Sequence, residues 1–516
     1  MSSVILFQNN KIEITFYQIG YTNSSCNLIA FLFKSCILKF GIRFKQIGLK
    51  ANMVFSNLVF LCVFLPLTII LYYVVPKPLK NYLLLTASII FYSWGEPQYI
   101  FLMMLSIIMN YFFGLGVDKY RDKLSAKRTI LFLTVVANLL ILGYYKYSNF
   151  LIDNLNSLFN WQIELEPLSL PIGISFYTFQ ALSYVIDVSR RDGAVQRNPF
   201  DLALYIALFP QLVAGPIVRY STVADQINSR VHSVSLFYEG LIDFIVGLGK
   251  KVIIANQMAI VADQIFSKNT GDMSTSIAWV GIIAYSLQIY FDFSGYSNMA
   301  IGLGKMFGFT FPQNFNYPYI SRSVSEFWRR WHITLGSWFR DYVYIPLGGN
   351  RGSKWMLYRN LFIVWFLTGL WHGASWNFIV WGLFYGFLIA FERAGLGNAL
   401  TRSPKVVQHL YVILAFMIGW VFFRSETLTY AVDYLKVLFG FGAGFWSKDV
   451  VFYLQQYWIE FVIALIGVTP VMKNLFSKAN DTFKTMAGPI FCFVILLYCV
   501  GSLATSSYNP FIYFRF

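Results

Sequence analysis

The chain has 516 residues, of which 57% are hydrophobic and only 12% are charged. Soluble domains carry about 25% charged residues, so this composition excludes a protein that exposes most of its surface to water. A net charge of +16 would suggest nucleic acid in a soluble protein. In a membrane protein, short cytoplasmic loops collect Lys and Arg, so we expect membrane lipid and no nucleic acid as a partner.

The apolar runs predict an all-α polytopic membrane protein. A spanning helix needs roughly 20 apolar residues, so the chain has room for about ten to twelve transmembrane helices. One run, 361–391, is long enough for two helices. In chain order the runs are 58–75, 82–94, 99–117, 130–144, 168–188, 202–218, 237–261, 277–293, 361–391, 410–423, 450–468 and 489–503.

Glycine and proline interrupt several of these runs, for example at 170–173 (LPIG) and 209–216 (FPQLVAGP). Broken or re-entrant helices are tolerated at membrane depth only where they are buried in protein or line a cavity. The sequence therefore predicts re-entrant or broken helices around a central tunnel.

Charge in the loops predicts the orientation of the chain. Five basic residues lie within 119–128, whereas 148–167 has three acidic residues and no basic one. The positive-inside rule places the first segment in the cytoplasm and the second outside it. Residues 1–52 mix polar and apolar residues without the spacing of a signal peptide. We interpret them as an extension of unassigned role or an upstream start, followed by a single membrane domain, 53–516.

His372 is the most informative residue because it lies inside the apolar run 361–391. An ionisable side chain there costs about 2.5–3.5 kcal/mol and usually lines a polar cavity or a reaction path. The motif 368–381 also offers Ser375 and Trp376, three and four residues further on one helical face, and the polar Asn377. Gly369 and Gly373 in this motif allow a neighbouring helix to approach closely. We predict a catalytic histidine, the alternative being a hydrogen bond across a helix interface.

A second histidine, His332, lies in the motif 327–344. Aromatic and leucine side chains recur there at spacings of three and four, which predicts one amphipathic helix at the membrane interface. Membrane anchoring alone is the alternative role. Three arginines in this motif, Arg329, Arg330 and Arg340, lie elsewhere on the surface of the predicted helix. Asp292, in the polar segment 288–298, is a candidate supporting residue, or part of a helix-packing network.

Other chemistries lack support in the sequence. The two histidines lack the nearby ligands that zinc requires, and HExxH, GxSxG and phosphate-loop motifs are absent. We therefore predict no metal and no bound cofactor. A transporter or a passive scaffold of a polysaccharide export complex remains a competing class.

Five motifs in one order resemble the membrane-bound O-acyltransferase family, and within it the bacterial alginate O-acetyltransferase branch. Peptidoglycan O-acetylating and teichoic-acid D-alanylating proteins are more distant relatives in that family. The motifs are LPIGISFYTFQ (170–180), FPQLVAGP (209–216), FDFSGYS (291–297), FWRRWH (327–332) and LWHG (370–373).

The resemblance implies a bacterial inner-membrane protein that takes an acetyl group from acetyl-CoA or another cytoplasmic thioester. It implies delivery toward an extracellular polysaccharide such as alginate, with a periplasmic acetyltransferase as partner. Peptidoglycan O-acetylation and teichoic-acid D-alanylation are the alternatives. The catalytic histidine of the family corresponds to His372 and its second histidine to His332. With acetyl-CoA as donor, Arg329, Arg330 and Arg340 are candidate ligands of its phosphates.

Overall fold

The computed structural model describes residues 2–8, 11–17 and 53–512, apart from 167, 479, 480 and 507. The chain divides into two compact units, Met1–Asn52 and Met53–Phe516. In the first unit, strands β1 (Ser2–Gln8) and β2 (Lys11–Tyr17) pair antiparallel. The remainder of the proposed extension lies outside the described residues.

The described residues of the second unit form helices and no strand, and the predicted all-α class is confirmed. Its α-helices are α1 Leu65–Val74, α2 Lys80–Gly95, α3 Ile100–Lys119, α4 Leu124–Phe159, α5 Ile174–Arg190, α6 Pro199–Ala207, α7 Phe209–Leu212, α8 Tyr220–Asn228, α9 Val234–Gly249, α10 Asn256–Phe266, α11 Thr275–Met306, α12 Val324–Arg330, α13 Ile333–Phe339, α14 Lys354–His372, α15 Trp376–Phe391, α16 Gly397–Arg402, α17 Lys405–Arg424, α18 Leu428–Leu438, α19 Asp449–Gly467, α20 Val471–Lys478 and α21 Asp481–Thr505. Turns of π-helix occupy Phe60–Phe64, Lys250–Ala255, Arg340–Tyr344 and Glu392–Leu396, and turns of 3₁₀-helix occupy Lys77–Leu79, Pro97–Tyr99, Thr270–Asp272 and Pro318–Ile320.

Eight helices among the described residues are long and apolar enough to cross a membrane, so the protein is a multi-pass membrane protein. Helix α11 is mostly buried and lies centrally, whereas α4 turns most of its apolar side chains outward, as a lipid-facing helix does. Helix α4 continues to Phe159, so the first part of 148–167 is helical. The eight segments are Pro97–Lys119, Leu124–Phe159, Val234–Phe266, Thr275–Met306, Trp376–Arg402, Lys405–Arg424, Asp449–Gly467 and Ala487–Thr505.

Short buried helices fill the interior where glycine and proline interrupt the apolar runs. Gly173 begins α5 with a positive φ of 75°. A Cβ at this position would crowd the backbone carbonyl of Leu212, so the close approach also requires glycine. The chain breaks again at Leu208, between α6 and α7; helix α7 is buried, and so is α6 from Asp201 onward. The interruptions therefore permit chain reversals inside the protein.

The prediction of one amphipathic helix across 327–344 is wrong. Helix α12 ends at Arg330, and His332 adopts a left-handed conformation with φ 45° before α13 begins at Ile333. Trp331 and Trp338 are buried, so this aromatic surface packs inside the protein instead of anchoring it at the membrane surface. The spacing of the aromatic residues carried no signal for the backbone reversal at His332.

Candidate active site

His372 is the last residue of α14, because Gly373 adopts an extended backbone and ends the helix. The side chain is buried and lies among aromatic rings. Ring centroids of Trp371, Trp381 and Phe423 lie 5.0, 4.9 and 5.1 Å from that of the imidazole. This cage excludes bulk water from the ring and limits the directions in which a reactant can reach it.

His332 is held by a single side-chain oxygen. Its Nδ1 lies 3.1 Å from Asn314 Oδ1, which also accepts hydrogen bonds from the backbone N–H of Thr334 (3.2 Å) and the Thr334 hydroxyl (2.9 Å). Because that oxygen only accepts, Nδ1 carries the ring proton and Nε2 presents a lone pair. Nε2 is buried without a hydrogen-bond partner among the described residues. The arrangement leaves a neutral imidazole with one acceptor available for a substrate proton.

Burial supports the neutral form of this second histidine. His332 lies outside the eight candidate spans, and desolvation by the surrounding protein lowers its pKa to about 3. An imidazolium at this position would lose its hydration without gaining a carboxylate partner. His332 is therefore a proton acceptor at neutral pH and not a standing positive charge.

The structure brings the two histidines to one place. Trp371 lies between them, with ring centroids 6.1 Å from His332 and 5.0 Å from His372. Phe293 packs edge-on against His332 at 4.7 Å and also borders the cavity beside His372. That cavity has a volume of about 10 Å³, close to the space that one water molecule occupies. Its lining residues are Ile289, Phe293, Trp331, His372, Trp381, Trp420, Phe423 and Ile512.

The residues that follow His372 do not share its helical face, so that prediction is wrong. The helix ends at His372, and α15 begins at Trp376 after a short segment whose last residue, Ser375, has an extended backbone and makes no side-chain capping hydrogen bond. The Trp376 indole is exposed and donates a hydrogen bond to Asn154 at 2.8 Å. The buried Asn377 amide donates to the carbonyl of Ser425 at 2.7 Å.

The apolar run 361–391 does form two helices, α14 and α15, as predicted. A Cβ at Gly369 would overlap the backbone carbonyl of Phe378, and a Cβ at Gly373 would overlap the Phe378 ring. Gly382 on α15 faces α14 in the same way, against the carbonyl of Trp365. These glycines therefore allow α14 and α15 to approach closely, as the sequence predicts. This close packing positions the end of α14.

The Asp292 carboxylate binds Lys251 and the C-terminal segment of the chain. Its Oδ1 lies 2.7 Å from the buried Lys251 ammonium, and its Oδ2 accepts from the backbone N–H of Ile512 at 2.9 Å. Breaking a buried ion pair costs about 3–5 kcal/mol, so this pair gives Asp292 a structural role. Ile512 borders the cavity beside His372. Asp292 thus supports the site through the segment it holds.

One of the three predicted arginines belongs to a basic cluster. Arg340 and Arg219 both pair with Asp341, at 2.6 and 2.5 Å, and Arg190 donates to the Asp341 carbonyl at 3.1 Å. Burial alone would raise the pKa of the Asp341 carboxyl, yet the hydrogen bonds and charges of Arg340 and Arg219 hold that pKa below its ordinary value. Two guanidinium groups therefore share one carboxylate and a third binds the backbone carbonyl of the same residue, so the cluster keeps a net positive charge. The sequence analysis did not single out Arg190 or Arg219.

The other two predicted arginines lie elsewhere. Arg330 forms an ion pair with Glu326 at 2.9 Å, one helical turn away. Arg329 is exposed on the same short helix. Neither is part of the basic cluster. Of the three predicted arginines, only Arg340 therefore lies beside other arginines, as a phosphate site requires.

A column of aromatic rings in contact, some stacked and some tilted or edge-on, connects the basic cluster to His372. Tyr342 lies beside Arg190 and Arg219, with their guanidinium carbons 5.2 and 5.7 Å from its ring centroid. From Tyr342 the column runs through Trp338, Phe179 and Trp371 to His372, with centroid separations of 5.1, 3.7, 5.6 and 5.0 Å. The charged and reactive ends of the candidate site are therefore joined by a continuous apolar wall.

Among the residues that the structure describes, no three His, Cys, Asp or Glu side chains are grouped to hold a metal ion. The polar side chains that the structure brings together here include the two histidines and Asn314, which the sequence analysis missed. Asn314 lies 18 residues before His332, and its segment has no helical periodicity that would indicate the contact.

Comparison with known proteins identifies the family. The family model "MBOAT, membrane-bound O-acyltransferase family" matches residues 86–424. A "Probable alginate O-acetylase AlgI" of Azotobacter vinelandii is 41% identical over 505 residues, covering 90% of this chain and all of that protein. A protein of the same name from Pseudomonas aeruginosa is 47% identical over 76% of this chain and 75% of its own length. A "Peptidoglycan O-acetyltransferase" of Helicobacter pylori is 37% identical over 75% of this chain and 80% of its own length. The chain belongs to the membrane-bound O-acyltransferase family and is an acyltransferase.

Proposed function

We propose that this acyltransferase takes an acetyl group from a cytoplasmic thioester, acetyl-CoA or another acyl thioester, for O-acetylation of an extracellular polysaccharide such as alginate. The pair of buried histidines around Trp371 is the observation that carries the proposal, because it supplies proton acceptors inside an apolar enclosure. The extent of identity to two proteins named alginate O-acetylase supports this class of acceptor. The inner membrane of a bacterium is the proposed location.

In the proposed reaction, the hydroxyl oxygen of an acceptor attacks the thioester carbonyl while His372 accepts the hydroxyl proton. Collapse of the tetrahedral intermediate breaks the carbon–sulfur bond, and the leaving thiolate takes the proton from the imidazolium. His332, whose tautomer is set by Asn314, acts as the second acceptor and orients the hydroxyl. Positioned base catalysis of this kind contributes roughly 10²–10⁴-fold to the rate.

The basic cluster supports a donor that carries phosphates. Arg190, Arg219 and Arg340 lie at the opposite end of the aromatic column from His372. Guanidinium groups suit phosphate oxygens because they present paired donors in a fixed plane. The small cavity beside His372 favours a short acyl group such as acetyl over a long chain. A periplasmic acetyltransferase that passes the group to the polymer is the proposed partner.

The experiment that tests this function measures O-acetyl ester in the extracellular polysaccharide and in the peptidoglycan of the producing cell. Cells lacking the gene are complemented with wild type, with His372→Ala or with the control His409→Ala. His409 contacts the backbone of Ser321 and lies outside the candidate site. We expect ester to be lost from one polymer and restored by wild type and by His409→Ala only. Full restoration by His372→Ala would contradict the mechanism and favour a transporter or scaffold.

Peptidoglycan is the second candidate acceptor, because one relative is named a peptidoglycan O-acetyltransferase. Loss of ester from peptidoglycan, with the extracellular polysaccharide unchanged, would identify that acceptor and leave the proposed role of His372 in place. Teichoic-acid D-alanylation would leave both ester contents unchanged and would lower the D-alanine content of the wall instead.

A further inference from the structure

The C-terminal end of α14 is held by a second helix in a way that the family resemblance does not explain. The last four carbonyls of a helix have no partners within it. At the end of α14 the backbone N–H of Gly373 reaches the Gly369 carbonyl at 3.4 Å. The carbonyls of Leu370, Trp371 and His372 remain, and each needs a donor from elsewhere because these residues are largely buried.

Two consecutive side chains of α4 supply those donors. The Tyr147 hydroxyl donates to the Leu370 carbonyl at 2.6 Å. The Lys146 ammonium donates to the carbonyl of Trp371 and, at 3.2 Å, to that of His372. Three consecutive carbonyls at the end of the histidine-bearing helix are therefore capped from one neighbouring turn.

The Lys146 ammonium has three N–H donors, and the third reaches Ser175 Oγ, in the first turn of α5, at 3.2 Å. All three acceptors are neutral oxygens, so this lysine is not part of an ion pair with a carboxylate at this site. A cation inside a spanning helix is costly and usually functional. Here it faces the negative end of the α14 dipole, where a positive charge is stabilising.

We propose that Lys146 and Tyr147 form a carbonyl clamp that sets the position of the His372 imidazole relative to the reacting carbonyl. The clamp acts through the backbone of His372, so both are positioning residues for the transfer reaction. The inference rests on the proposed role of His372. Small displacements of a reacting group cost large factors in rate, about 10²-fold for 1 Å, so a loosened helix end would lower turnover.

The test uses the full-length protein purified in lipid nanodiscs, with acetyl-CoA and an alginate oligosaccharide as probes. The variants are Lys146→Met, which keeps the length of the side chain and removes its donors, and Tyr147→Phe, which removes one hydroxyl. Tyr144→Phe, on an exposed turn of the same helix, is the matched control. We expect kcat to fall about 10–100-fold for Lys146→Met and less for Tyr147→Phe. KM for acetyl-CoA and the Tyr144→Phe kinetics should stay within twofold of wild type.

A double variant separates positioning from general loss of structure. Adding Lys146→Met to His372→Ala should lower the residual rate no further, because the clamp acts only through the histidine. An equal fold-loss in both backgrounds, or an unchanged kcat in folded Lys146→Met, would overturn the clamp. If Lys146→Met does not fold, Tyr147→Phe decides, and wild-type kcat in that variant overturns the proposal. Full activity of His372→Ala alone would instead reject the proposed function.

Discussion

Asn314 selects the tautomer of His332 through one oxygen atom. That oxygen accepts a hydrogen bond from the Nδ1–H of the imidazole and two more from the backbone N–H and the hydroxyl of Thr334. The geometry leaves Nε2 as the only lone pair of the ring, and Nε2 has no partner among the described side chains. Because an amide does not titrate, the tautomer that it selects does not change with pH. A carboxylate at the same place would titrate, and its negative charge would also favour the imidazolium.

This difference gives a prediction at Asn314. Asn314→Asp keeps the acceptor but places a negative charge beside the ring, which raises the pKa of His332. Since the proposed reaction uses the neutral imidazole, the acid limb of the pH–kcat profile should move to higher pH. Asn314→Leu should lower kcat without moving that limb, by less than the roughly 10²–10⁴-fold contribution of a complete base.

The control for this prediction is Thr334→Val, which removes one donor to the same oxygen and leaves the His332 bond in place. Its pH profile should match that of wild type. An unshifted profile in active Asn314→Asp protein would show that His332 does not exchange a proton during turnover.

At the scale of elements, the α14–α15 hairpin determines where His372 lies. Gly369 and Gly382 bring the two helix backbones into contact, each against a carbonyl of the other helix. Lipid supplies little hydrophobic driving force between helices, so this close packing is the main source of attraction. The hairpin is therefore sensitive to any side chain added on its inner face.

We predict that Gly369→Ala destabilises the protein by about 1–3 kcal/mol, because its Cβ would overlap the Phe378 carbonyl. Gly143→Ala is the matched control in α4, where nothing lies within 4 Å of the added Cβ. Thermal unfolding in detergent should show a lower midpoint for Gly369→Ala only. Equal midpoints for the two variants would mean that α14 and α15 can move apart at this contact without loss of stability.

Sequence patterns predicted those features of these elements that depend on local composition. The length of the run 361–391 and its glycine pair were readable because apolar and small residues mark them, whereas the break directly after His372 was not, since Ser375 and Trp376 were expected on the same helical face. The reversal at His332 was not readable either, since its left-handed φ of 45° is imposed by packing and by Asn314. Lys146 was also missed, because its two carbonyl acceptors lie more than 200 residues away and only the fold brings them together.

At the scale of the whole molecule, α4 connects the two segments that predict its orientation. The basic segment 119–128 lies at its first turn and the acidic segment 160–166 follows its last turn. The positive-inside rule places the first inside the cell and the second outside. The connectivity of the chain then fixes the direction of the other spans relative to α4.

Labelling with a membrane-impermeant maleimide tests this orientation. Gln162→Cys should react in intact spheroplasts, and Lys123→Cys should react only after the membrane is permeabilised. The unsubstituted protein measures the background from native cysteines, of which Cys492 and Cys499 are buried. Labelling of Lys123→Cys in intact cells would reverse the orientation and place the basic cluster outside.

The length of α4 also sets the depth of the reaction centre. Lys146, which holds the backbone of His372, lies 17 residues after Thr129. At 1.5 Å per residue this is about 26 Å along the helix, against a hydrocarbon thickness of about 30 Å. With the basic loop inside the cell, the proposed function requires a cytoplasmic donor thioester to carry its acyl group across most of the bilayer before transfer. The proposed ester product would then have only a few ångströms to travel, so the proposal makes the length of the donor's flexible linker a requirement for the reaction.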